Sequence, residues 1–446
     1  MKRIFGFLVL LAFLHGSADA HSGKPKYQVI IDTDGARDDM RALSMFLSGN
    51  DIRVLAITCS RGTLLPDSVY VKVRSLLAGF HHEGIPVGIR ASAQKTLDRA
   101  TNSGKEKITL IALGSLSTYA GWIRNNPLAG GKIERILWYN NHEIEEGYNY
   151  SVDPDSYEFI RQSGIPLEII SAGKDAYTID QSYLQLIQTR ASVYAKQIAE
   201  LQSQADKKLS LEDDLVPLYL SAPLLFETFT ENNIHFVSME KIMPKELVFE
   251  TIGELLVSAS SANNRVFHDF PDDPDLYKSA YAAMLEETIS RYGHIEWKAI
   301  TMTNEIHGHT GIYSIIGAKM GIRAMDYFNV GINNLQIITF AGNKPPISCF
   351  NDGLQISTGA TIGQGLITVS DSISSIPSAI FEFNNQKVHI SVKPEIAEKM
   401  QDEIKYGVKT YGLLTDRYWL YIEDLAMDYW ADFDRNDIFV IEPGKH

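Results

Sequence analysis

Residues 30 to 43 read IIDTDGARDDMRAL, which crowds Asp32, Asp34, Asp38 and Asp39 into eight positions directly behind an apolar run. Two carboxylates ~4 Å apart repel by roughly 4 kcal/mol at an effective dielectric near 20, so such a cluster must take up a proton or a cation. A hard divalent cation with six to eight oxygen ligands, such as calcium, suits carboxylates carried by a strand end and the start of the next helix. Acids also favour the first turn of a helix through its dipole, but that accounts for Asp38 and Asp39 alone.

Other uses of this pattern can be weighed from spacing. An EF-hand loop counted from Asp32 needs Gly at its sixth position and Glu at its twelfth, where the chain has Arg37 and Leu43. A haloacid-dehalogenase-like phosphatase opens with a strand and Asp-x-Asp, which Asp32-Thr33-Asp34 matches with Asp32 as nucleophile. That alternative leaves Asp38 and Asp39 without a task.

The elements that must position these acids follow from periodicity. QVIID, RVLAIT, KITLIALG, RILWYN and IPLEIIS read as buried strands, each followed by a stretch with helical spacing. Strands separated by helices predict an α/β fold with a mostly parallel, doubly wound sheet, and ligands in such sheets bind beyond the carboxyl ends of the strands. The acids sit at such an end. Met40, Leu43 and Leu47 mark the apolar side of the helix that follows, closing at Gly49-Asn50. A polar crossing, SANNRVFHDFPDDPDLY, precedes a change of character, and a smaller α+β domain is expected over residues 301–446 after a first domain over 27–300.

Composition narrows the class. A net charge of −14 repels phosphate backbones, so nucleic acid is not an expected partner. Cys59 and Cys349 are the two cysteines, and 45% hydrophobic content over 446 residues must supply the stability that no disulfide framework provides. Residues 1–20 join a basic start at Lys2 and Arg3 to an apolar core and the small pattern Ala18-Asp19-Ala20, which reads as a cleaved signal peptide for export to a periplasm. That run is too short to span a bilayer, so membrane insertion is not expected.

Asp-x-Asp-x-x-x-Asp-Asp after the first strand resembles the inosine-uridine preferring nucleoside hydrolases. ITLIALGSLSTYAGWIRNNP, GYNYSVDPDSYEFIRQSGIPLEII and EDDLVPLYLSAPLLF continue the likeness in order. The resemblance implies Asp34, Asp39 and Asp213 as side-chain calcium ligands, with the Ser117 carbonyl as another. It implies Asp38 as the base acting on a calcium-held water, Asp32 supporting the site and counted with the substrate-binding set, and Asn149 on the sugar. The substrate class is a small ribosyl compound with an N-glycosidic bond. Thr63 stands where the family has a sugar-binding Asn, and Tyr139-Asn140-Asn141 replaces its Met-Gly-Gly. Gly147 takes the place of a Glu, for which Glu143 or Glu146 is a substitute. Glu212 replaces a His that helps the base depart, a general-acid role that requires burial to raise its pKa. Trp122, Trp138 and Tyr139 are candidates to stack on an aromatic leaving group or to fill the core.

EIHGHTGIYSIIGAKMGIRAMDYF followed by KPPISCFNDGLQISTGATIGQGLITV resembles the formylmethanofuran dehydrogenase E-subunit family. His307, His309 and Cys349 are donors of the type that binds zinc or another transition metal, with Asp352 as a further ligand or orienter. Ala360, Gln364 and Leu366 stand where the family has Cys, Lys and Asn. Two readings follow: a calcium-dependent N-glycosidase with a metal-binding C-terminal domain, or a non-catalytic binding protein that keeps the cradle. A homo-oligomer is compatible with either.

Overall fold

A computed structural model of the chain describes residues 27–104, 106–172, 177–203, 209–231, 234–239, 243–261, 266–267 and 269–444. The signal-peptide reading therefore lies outside the described residues. Among them, no helix is long and apolar enough to cross a membrane.

The five strands expected from the apolar runs form as β1 (Tyr27–Thr33), β2 (Ile52–Cys59), β4 (Ile108–Ala112), β5 (Ile133–Tyr139) and β6 (Leu167–Ser171), with a three-residue β3 (Val87–Ile89) added. A two-stranded ribbon pairs β7 (Thr178–Ile179) with β8 (Leu209–Ser210), and β9 (Phe226–Glu231) and β10 (Ile234–Met239) complete the large sheet. Its order is β3-β2-β1-β4-β5-β6-β10-β9, parallel throughout except for the last pair. The α/β expectation holds, and the antiparallel hairpin at the edge is an addition to it. β9 alternates short polar and aromatic residues with five of six exposed, a pattern that lacks the buried apolar run marking the other strands.

Alternation along β1 explains the two-sided core. Val29 and Ile31 join a cluster with Met40, Leu43 and Leu47 of helix α1 (Arg37–Ser48), while Ile30 faces the opposite cluster with Leu110, Trp122 and Trp138. The strand order reverses between β1 and β4, so their following loops diverge and leave a crevice at the carboxyl edge.

The second sheet runs β12 (Ile367–Val369), β11 (Gln336–Thr339), β13 (Ser378–Phe383), β14 (Gln386–Val392), β15 (Phe439–Pro443), mostly antiparallel and packed by helices, as an α+β domain requires. Its core takes in Leu285, Trp297 and Ile300, so the helices Ser279–Tyr292 and His294–His307 pack with this unit ahead of residue 301. The helix Ile312–Phe328 docks on the first unit: Arg323 pairs with Glu83 at 3.0 Å, His82 Nδ1 meets the Asp326 carbonyl at 2.6 Å, and the Gly84 amide donates to the Tyr327 carbonyl at 2.8 Å.

Inside the second core, Lys319 and Glu296 are fully buried against each other, and Arg435 reaches the other Glu296 oxygen at 3.0 Å. Removing Glu296 strands Lys319 away from water, while Arg435 keeps Asp326 at 3.1 Å. Glu296→Ala is therefore expected to lower the unfolding free energy by about 3–5 kcal/mol in a urea titration; a loss under 1 kcal/mol, on the order of a surface pair, would show that water reaches Lys319.

Candidate functional site

The loop after β1 folds around Asp39. Its Oδ2 accepts from the Thr33 hydroxyl, from the Asp34 amide at 2.9 Å and from the Gly35 amide at 3.1 Å. Asp34 is held in the same way, accepting from the Ala36 amide at 3.2 Å and the Thr63 amide at 3.0 Å. Gly62 is what lets the second loop come so close, since a Cβ there would lie 2.0 Å from Asp34 Oδ2.

Asp213 comes from the loop ahead of the helix Leu215–Ser221, which packs in the same core cluster as α1. One carboxylate oxygen each from Asp38, Asp39 and Asp213 lies within 4.8 Å of the others, and among the described residues this is the one such trio of His, Cys, Asp or Glu donors. Asp39 and Asp213 are buried, and Asp213 Oδ1 has no hydrogen-bond partner. Burial, reinforced by the neighbouring acids, pushes Asp39 up to about 7 and Asp213 well above its ordinary value. Burial therefore favours protonation of this pair unless a cation takes up the charge where the oxygens converge. Hard oxygen donors, an orphaned buried oxygen and charge that must be neutralised fit a cation of the calcium or magnesium kind.

Asp38 lines the adjoining cavity of about 280 Å³ together with Asp34, Thr63, Tyr139, Asn149 and Glu212. Glu212 hydrogen-bonds to Asp38, and burial first, then the Asp38 charge, raises it to about 7. Asn149 gives both amide hydrogens to backbone, to the Leu113 carbonyl at 2.9 Å and the Tyr139 carbonyl at 3.0 Å, which leaves its oxygen as an acceptor for a ligand hydroxyl. The Tyr139 hydroxyl is pushed up by burial and then by the Glu212 and Asp213 charges, placing it beside those acids.

Several expectations need correction. Asp32 is fully buried, accepts from the Thr58 hydroxyl at 2.6 Å and does not line the cavity, so it supports the loop and touches no substrate. The same burial removes it as a phosphatase nucleophile. Asp38 joins the carboxylate trio, and Asp34, whose oxygens accept from amides as Asp39 does, lines the same cavity outside the trio. Ser117 opens the helix Ser117–Asn125 with its hydroxyl 2.8 Å from that of Ser115, and is not among the lining residues. Glu143 and Glu146 are exposed and do not reach the cavity either. A side chain at position 147 would collide with Asn140, so Asn140 occupies the space that a Glu there would need. Trp122 and Trp138 are core, donating to Asp98 and to the Gly114 carbonyl.

In the C-terminal unit His307, His309 and Cys349 do not form a metal-binding trio. Their donor atoms do not converge as those of the aspartates do, although Asp352 orients His307 through Nδ1 at 2.8 Å and leaves its Nε2 buried without a partner, the His309 ring lies 4.3 Å from that of His307, and Cys349 lines a cavity of about 330 Å³ with His307 and Asp352. The two cavities share no lining residue.

Arg41 and Asp214 are buried charged residues beside the site that the sequence motifs do not single out. They form a buried bidentate pair, Nε to Oδ1 at 2.9 Å and Nη2 to Oδ2 at 2.7 Å, that joins α1 to the loop carrying Asp213. The available signal is an Arg on the apolar side of α1 and a third consecutive acid after Glu212-Asp213.

Comparison with known proteins agrees with this division of the chain. Residues 306–427 match the family model described as FmdE, molybdenum formylmethanofuran dehydrogenase operon. The pyrimidine-specific ribonucleoside hydrolases RihA of Klebsiella pneumoniae (strain 342) and Enterobacter sp. (strain 638) are 24% and 26% identical over 188 residues, a third of this chain (33%). The chain spans about 60% of the length of these curated relatives. Among solved structures, an inosine-uridine preferring nucleoside hydrolase from Bacillus anthracis aligns at 15% identity and TM-score 0.46, covering 52% of this chain and 99% of that one. The plant nucleoside hydrolase PpNRh1 aligns at 18% identity and TM-score 0.44, covering 52% and 100%. The chain thus joins an N-terminal half similar to nucleoside hydrolases to a C-terminal domain matching FmdE.

The raised carboxyls make a pH prediction. Asp39 titrates near 7 in the fold against an ordinary 3.8, so it supports folding below about pH 4 and that support is lost as pH rises through about 7. With a chelator present, the thermal midpoint should fall between about pH 5 and about pH 8, and saturating calcium should flatten the fall, because a cation replaces the proton. Equal slopes with and without calcium would mean that no cation takes the proton's place.

Proposed function

We propose that the chain is an exported, calcium-dependent hydrolase of an N-ribosyl bond in a small nucleoside-like substrate. The observation that carries the reading is the convergence of Asp38, Asp39 and Asp213 at the floor of a polar cavity that Asn149 and Glu212 also line. Export rests on the basic, apolar and small-residue pattern of residues 1–20.

Asp39 and Asp213 would hold the cation, with Asp34 and Asp38 beside them. Calcium, when bound, supplies the positive charge that keeps these carboxylates ionised and acidifies a neighbouring water. Asp38, half-buried and open to the cavity, takes the proton from the attacking water. The Asn149 oxygen accepts from a sugar hydroxyl and orients the ring. Carboxylates around the ring stabilise the positive charge that develops at the anomeric carbon as the bond to the base lengthens. Glu212, raised to about 7 by its burial and so available in its protonated form near neutral pH, hands a proton to the departing base.

The roles separate experimentally. In a reducing-sugar assay on a nucleoside panel, Asp38→Asn should lower kcat by about 10²–10⁴-fold. Glu212→Gln should lose comparable activity on nucleosides yet retain most of it on p-nitrophenyl riboside, whose leaving group needs no proton. Equal losses on both substrates would remove Glu212 as the acid. No release of sugar by the unaltered protein from any substrate would favour a binding protein that keeps the cradle without turnover. The C-terminal donors His307, His309 and Cys349 enter no step of this scheme, and a zinc site there would need their side chains to regroup.

A further inference from the structure

Of the groups that build the cation site, Asp34, Asp38 and Asp39 come on one continuous piece of chain, braced by β1 and α1. Asp213 and Glu212 do not. They ride on a short loop between β8, a ribbon strand of two residues, and the helix Leu215–Ser221. Its backbone is tied by the Leu211 amide to the Tyr177 carbonyl at 2.9 Å and, into the helix that follows, by the Leu215 and Val216 amides to the Glu212 and Asp213 carbonyls at 2.9 and 3.0 Å, none of which reaches α1. Yet the site requires Asp213 to approach Asp39 against the repulsion of like charges.

What pins the loop is Arg41, just beyond Asp38 and Asp39 on α1. Its guanidinium is 1% exposed and spends three donors on this segment, two on Asp214 and one on the Ser210 carbonyl at 3.1 Å, with a fourth on Gln202 of the helix Val193–Ser203 at 3.4 Å. Asp214 is itself fully buried and adjoins Asp213, and its Oδ2 also accepts from the Glu212 amide at 3.4 Å. One cation therefore spans Ser210 to Asp214 and draws the loop onto the helix that bears the other acids. A planar fork is suited to this, because two parallel hydrogen bonds fix orientation as well as distance.

We propose that Arg41 and Asp214 are positioning residues for the cation site, setting the separation of Asp213 from Asp39. The inference rests on the cation-cradle reading above and concerns affinity for the ion, which a purely structural pair would leave unchanged. The test is calorimetric titration of calcium into chelator-stripped full-length protein, with circular dichroism as the control for folding. Replacing the pair by apolar groups of similar size, Arg41→Met with Asp214→Leu, should leave a folded protein, since buried ion pairs are often exchanged for apolar groups without loss of fold. Its calcium dissociation constant should rise about 10–100-fold, the usual effect of losing a residue that orients a ligand. Arg41→Lys and Asp214→Asn retain volume and part of the hydrogen bonding, so they should fall in between and keep the result readable if the double variant does not fold. A wild-type dissociation constant in any folded variant lacking the fork would overturn the assignment. Failure of the unaltered protein to bind calcium would overturn the cradle reading and this inference with it.

Discussion

Mutual repulsion among carboxylates is the constraint on which the site depends. Asp39 and Asp213 are packed together out of water, with Asp38, Asp34 and Glu212 close by, and ionising them all at once in that space is prohibitive. The fold meets the difficulty in three ways. Backbone amides donate into Asp34 and Asp39, burial favours a protonated Asp39 or Asp213, and Arg41 neutralises Asp214 next door. The first and third are permanent. The second is exchangeable, and a divalent ion of suitable size can take its place, which is how a cluster that weakens the fold becomes a binding site.

The topology makes the arrangement reachable. Reversal of strand order between β1 and β4 opens a crevice at the carboxyl edge, into which the β1 loop, the Thr63 loop, Asn149 and the Glu212-Asp213 loop all project. Where the chain departs from Met-Gly-Gly, its replacements interlock: Asn140 fills the space above Gly147, and Tyr139 sets a hydroxyl near the acids. These substitutions act on the part of the cavity that would hold sugar and base, while the carboxylate floor keeps its composition.

Much of this is legible in the residues. Strongly apolar runs announce β1, β2, β4, β5 and β6 because parallel strands are buried on both faces, whereas the exposed, alternating β9 and the brief β3 carry no such signature. Four aspartates in eight positions identify the site, and Asn149 and Glu212-Asp213 fall where the motif order puts them. Individual roles are harder to read. Spacing cannot tell a carboxylate that faces the cavity from one that faces the sheet, so by spacing alone Asp32 counts as a substrate contact. Nor can it reveal a contact between residues 173 positions apart, which hides the pairing of Arg41 with Asp214. In the C-terminal unit the donor types are right for a transition metal and Asp352 orients His307, but spacing cannot show that the His307, His309 and Cys349 donor atoms do not converge.

The two units meet through the helix Ile312–Phe328, with their cavities apart, so the N-terminal site stands on its own residues. Its central claim is that a divalent cation belongs among Asp38, Asp39 and Asp213. Anomalous diffraction from crystals grown with saturating calcium tests this most directly. The account predicts one strong peak at about 2.3–2.6 Å from oxygens of Asp39 and Asp213. No peak there, with the three carboxylates turned away from one another, would contradict it.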